Sequence, residues 1–153
     1  VIEDIVVNAD ISEAGFKRSF GVMVNYLYEL NDIEKNHENF INNISVLNGL
    51  NPILLAEELQ KSDLPTTISW LQKWCYDLMS CRTTGKIRYH LSMQAEIEEL
   101  VPKIELLKLA RYLRNLIDMQ RLAHHTLNPR LFLEEAFISY AMLMAPARSN
   151  QRG

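Results

Sequence analysis

"HHTLNPRLFLEEAFISYAML", residues 124–143, decides how the chain is read. Its two adjacent histidines and two adjacent glutamates suggest a metal or acid/base site, yet the Asn128-Pro129 step between them suggests a helix boundary. Asparagine is a favoured helix cap, and proline at the first helical position gives up an N–H that would be unpaired anyway. Adjacent histidines on a helix point about 100° apart and cannot share one metal as an i, i+4 pair does. The reading is therefore structural. His124 and His125 close one helix against the negative end of its dipole, and Glu134 and Glu135 offset the positive end of the next.

The same punctuation recurs along the chain. The 153 residues hold five glycines and five prolines, and the prolines stand between periodic segments, so the expected fold class is all-α. Apolar residues at three- and four-residue steps predict a helix over 12–30, with Phe16, Phe20, Met23, Leu27 and Leu30 on one face, and a second over 38–47 ending at Asn48-Gly49. "NPILLAEELQK" makes a short third helix. "DLPTTISWLQKWCYDLMSC", residues 63–81, makes a fourth, with Ile68, Leu71, Cys75 and Leu78 as its seam and Gly85 beyond its end. A turn and a short extended piece follow in "TTGKIRYHL", and Ser92 is the expected cap of a small helix carrying Ile97 and Leu100. The longest helix is expected over 103–124, with Leu106, Leu109, Ala110, Leu113, Leu116, Ile117 and Met119 or Gln120 inward. The last presents Leu133, Ala136, Phe137, Tyr140, Ala141 and Met144. The product is a compact bundle of about six or seven helices. An N-terminal helical segment over 1–37, a helical domain over 38–146 and a disordered tail over 147–153 are the expected divisions.

Composition bounds the function. With 48% hydrophobic residues, 23% charged residues and a net charge of −3, the chain reads as a soluble, cytoplasmic protein without a membrane span or secretory signal. Its start at Val1 suits a piece of a longer protein. The acidic balance argues against broad contact with a phosphate backbone. Cys75 and Cys81 lie six apart on one expected helix, too far apart for a disulfide, and suit reduced thiols. No GxxxxGK[ST], GxGxxG, HExxH or CxxC element occurs, so no catalytic, cofactor or metal set is expected.

Three stretches resemble a known family. "SDLPTTISWLQKWCYDLM" (62–79), "GKIRYH" (85–90) and "LAHHTLNPRLFLEEAFISYAML" (122–143) are similar to the C-terminal collar domain of the δ′ subunit of bacterial DNA polymerase III. The similarity covers roughly 38–145, while residues 1–37 do not resemble the family's linker. "SCR" at 80–82 differs in order and place from the family's finger motif. The resemblance implies a noncatalytic oligomerisation domain of a clamp loader, assembling with the γ/τ and δ subunits and meeting DNA only through the assembly. It implies no enzyme activity in this fragment and no cofactor. Outward contact residues would be Trp70, Trp74, Tyr76, Arg88, Tyr89 and Arg130. The alternatives are a small helical regulator or nucleic-acid-binding module, and a helical enzyme using Cys75 or the His124/His125 region.

Overall fold

Both Asn-Pro steps start helices in the structure, a computed structural model that describes residues 12–145. Asn51 Oδ1 accepts from the Leu54 N–H at 3.1 Å and Asn128 Oδ1 from the Leu131 N–H at 3.0 Å. Each such cap contributes about 1 kcal/mol. Asp63 starts a third helix in the same way, accepting from the Thr66 N–H. Among the described residues the regular structure is all-helical: α1 Glu13–Ile44, α2 Pro52–Leu59, α3 Leu64–Thr84, α4 Gln94–Leu100, α5 Leu106–Leu122 and α6 Pro129–Met144. Two single 3₁₀ turns, Leu91–Met93 and Val101–Lys103, join them. The all-α expectation holds, with six α-helices among the described residues. The expected tail beyond 145 lies outside the described residues, as do positions 1–11.

The chain divides into two compact units after Glu38, and this boundary falls inside α1. In the first unit α1 carries a row of exposed apolar side chains. The expected break between 30 and 38 is absent, because "NDIEKNH" contains neither Gly nor Pro to interrupt the hydrogen-bond ladder.

The second unit holds the core. Phe40, Ile41 and Ile44 from the last turns of α1 are buried with Leu55 and Leu59 of α2, the α3 seam, Ile97 and Leu100 of α4, and the inner faces of α5 and α6. Helix α2 packs on α6, and α3 packs on α5. The α3 seam of Ile68, Leu71, Cys75 and Leu78 is fully buried, as its spacing predicts. Gly85 then ends α3 at φ 74°, a left-handed conformation that disfavours any side chain, and donates to the Cys81 carbonyl. Two glutamine amides join α3 to α5: Gln72 Nε2 donates to the Leu116 carbonyl and Gln120 Nε2 to the Pro65 carbonyl.

Three local expectations change. The buried stripe of α5 is Leu109, Tyr112, Leu116 and Met119, whereas Leu106, Ala110 and Ile117 face solvent. Periodicity fixes a stripe's width, and the neighbour decides its rotation: Tyr112 is turned inward, where its hydroxyl donates to the Ala136 carbonyl at 2.7 Å. On α6 Leu143 joins the expected inward residues, and Ala141 is only half-buried. Ser92 caps nothing, since it sits inside the 3₁₀ turn that precedes α4.

Candidate functional site

Asp77 occupies the core edge of α3 and is 0% exposed. A buried carboxylate is tolerated only where its oxygens are fully hydrogen-bonded. Here the loop after Gly85 turns its backbone onto them. Asp77 Oδ1 accepts from the Arg88 N–H at 2.9 Å, Oδ2 accepts from the His90 N–H at 2.8 Å, and the Tyr89 N–H reaches both. His90 Nδ1 lies 2.8 Å from Oδ2, and its ring stands edge-on to Trp74 at 5.2 Å. Burial alone would raise the Asp77 carboxyl. The Arg88 N–H, the His90 ring and the Tyr89 and His90 N–H groups outweigh it and hold the group below the ordinary Asp value.

The clamp places residues 88–90 against α3. Tyr89 meets Tyr76 edge-to-face at 5.6 Å. The Arg88 guanidinium lies 5.2 Å and the Lys73 ammonium 5.7 Å from the Tyr89 ring centre. Beside them opens a hollow of about 410 Å³ lined by Ser69, Gln72, Lys73, Tyr76, Tyr89, Leu113 and Ile117. Such a surface combines aromatic faces, aliphatic carbon and positive charge, and it suits a ligand with planar, apolar and anionic parts. A second hollow of about 360 Å³ between α5 and α6 includes Lys108, Arg111, Asn115 and Ser139.

Of the residues singled out in the sequence, Tyr76, Arg88 and Tyr89 come together here. Trp70 is half-buried against Phe40. Trp74 is fully buried, where no partner surface reaches it. Arg130 lies elsewhere, on α6, where Nε pairs with Glu134 at 3.0 Å and a terminal nitrogen approaches Glu57 of α2 at 3.8 Å. Asp77 and His90 were not singled out. The signal was present: an aspartate three residues after Trp74 lies on the buried side of an apolar helix and needs donors from elsewhere in the chain.

His124 and His125 are exposed beyond the end of α5. Cys75 is buried and Cys81 half-buried, both unbridged. Burial pushes the Cys75 thiol far above its ordinary value. Burial, then the charges of Glu98 and Asp77, raises Cys81. Among the described residues no group of three or more His, Cys, Asp or Glu could hold a metal ion, and no helix is long and apolar enough to cross a membrane.

The family model described as the malonyl-CoA decarboxylase C-terminal domain matches residues 1–63. That is 63 of 153 residues, and the match ends before the hollow begins at Ser69. No curated protein and no solved structure matches the chain.

This match corrects the reading drawn from the resemblance. It points to a malonyl-CoA decarboxylase domain and not to a δ′ collar domain of DNA polymerase III. The clamp-loader oligomerisation role falls with it, as do the γ/τ and δ subunits as partners. The match to a domain of an enzyme also overturns the expected absence of enzyme activity and favours the helical-enzyme alternative over the clamp-loader reading. The motifs that carried the resemblance are accounted for by packing: Trp74 fills the core, "RYH" wraps the Asp77 carboxylate, and Asn128-Pro129 starts α6. Requirements of this kind are common to helical bundles and do not single out one family.

Proposed function

We propose that the chain is a helical part of an enzyme related to the malonyl-CoA decarboxylases, and that the hollow between α3 and α5 binds an anionic acyl thioester of the malonyl-CoA kind. The observation that carries the ligand assignment is that Lys73, Tyr76 and Tyr89 line the hollow together, with the Arg88 guanidinium stacked on the Tyr89 ring. Lys73 and Arg88 suit carboxylate or phosphate oxygens, the two phenol rings suit a planar base, and Leu113 and Ile117 suit an aliphatic arm. The match over residues 1–63 supports the enzyme class, and the geometry of the second unit supports the ligand chemistry. A cytoplasmic, reducing setting accords with the unbridged Cys75 and Cys81.

The test is calorimetric titration of the chain with malonyl-CoA, acetyl-CoA and free CoA, paired with an assay for CO₂ release by the full-length parent protein. Saturable malonyl-CoA binding that weakens about tenfold in both Lys73→Ala and Arg88→Ala is the expected result, equivalent to losing one charge-assisted contact. No heat with any of the three ligands removes the ligand assignment. A parent protein that releases no CO₂ from malonyl-CoA removes the enzyme class.

A further inference from the structure

The hollow between α3 and α5 carries charge of one sign. Among the described residues that line it Lys73 is the single charged side chain, and none is acidic. Lys73 forms no ion pair with a carboxylate of the described residues, and its ammonium lies 5.7 Å from the centre of the Tyr89 ring. An ammonium without a counter-charge, flanked by an aromatic wall and by aliphatic carbon, attracts an anion more strongly than a fully solvated one does.

The lining also has two unlike ends along α3. Ser69, Lys73 and Tyr76 follow at steps of four and three residues on one face of the helix, a span of about 10 Å at the rise of an α-helix. Gln72 Nε2 is committed to the Leu116 carbonyl. The Ser69 hydroxyl, one turn from Lys73, has no hydrogen-bond partner among the described residues. At the far end Tyr76 meets Tyr89, and Arg88 lies on the Tyr89 ring without being part of the lining. A lysine and a hydroxyl stand at one end, and two phenols backed by a guanidinium at the other.

We propose, resting on the reading of the hollow as an acyl-thioester site, that Lys73 is its specificity-determining residue. With Ser69 it holds the free carboxylate of a malonyl thioester, whereas Arg88 serves the phosphates common to every CoA ester. The terminal carboxylate is the group that distinguishes a malonyl from an acetyl thioester. An ammonium set against it makes one charge-assisted contact, about tenfold in affinity, and a neutral acetyl end gains nothing from the same charge.

Calorimetric titration of the complete chain with malonyl-CoA, acetyl-CoA and free CoA at low salt tests it, on the native chain and on variants of Lys73, whose exposed side chain leaves the core untouched. The native chain binds malonyl-CoA about tenfold more tightly than acetyl-CoA. Lys73→Met lowers malonyl-CoA to the acetyl-CoA level and leaves acetyl-CoA and free CoA unchanged. Lys73→Arg keeps the preference, and Lys73→Glu reverses it. Arg88→Ala weakens all three ligands alike. Equal affinities for malonyl-CoA and acetyl-CoA in the native chain overturn the role of Lys73 while the thioester site stands. A Lys73→Met chain that loses all three ligands equally places the ammonium on the phosphates and overturns it too. Binding of none of the three removes the site itself, and this inference with it.

Discussion

The indole of Trp74 donates to the hydroxyl of Tyr140 at 2.9 Å, across 66 positions of sequence. That hydroxyl donates in turn to the Ile44 carbonyl, also at 2.9 Å. One fully buried phenol thus ties α3 and α6 to the last turn of α1, and it supplies the partner that a buried indole N–H requires. The carbonyl it satisfies is one of the orphans at a helix C-terminus.

Tyr140→Phe keeps the ring and deletes the hydroxyl, leaving the Trp74 N–H and the Ile44 carbonyl unpaired inside the core. The expected loss is about 1–3 kcal/mol. Urea denaturation checks it: the midpoint falls and the slope stays unchanged, because the surface exposed on unfolding is the same.

Asp77→Ala strands the N–H groups of Arg88, Tyr89 and His90 together with the His90 ring. A stability loss of about 3 kcal/mol or more follows from several unpaired buried donors. The loop that carries Tyr89 loses its anchor, so amide exchange at 88–90 accelerates before global unfolding. A variant in which those amides remain protected shows that the carboxylate is not what holds the loop.

The same carboxylate makes stability depend on acid. Its folded value lies below its unfolded value, so the unfolded chain binds the proton more tightly. The stabilisation is complete above the ordinary Asp range, near pH about 4, and is lost as pH falls through that range toward the lower folded value. Thermal melts between pH 2 and about 6 check this. The native chain loses more stability on acidification than Asp77→Asn does, and equal slopes exclude the clamp as the source.

The two thiols separate by burial. Cys75 is sealed in the α3 seam and Cys81 is half-buried, with both thiols raised. Since the thiolate is the reactive form, a disulfide reagent at neutral pH labels Cys81 slowly and Cys75 only after denaturant is added. Labelling of both at equal rates in the native state contradicts the buried seam.

The sequence by itself determined the elements. Asn51-Pro52 and Asn128-Pro129 mark starts and Gly85 a stop, because a cap or a left-handed turn is a local requirement met by one or two residues. The α3 seam and most of the α6 face were also legible, because a period near 3.6 survives in any helix whose one side is buried. Tertiary structure alone decided which way α5 is rotated, since Tyr112 finds its acceptor on α6. It also decided that Asp77, which reads as one more charge on a helix, receives the backbone of residues 88–90. The hollow depends on that contact, because Tyr76 and Tyr89 are 13 positions apart and meet only after the loop folds back. Distant partners leave no period in the sequence, and the cost of burying an unpaired carboxylate is what brings them together.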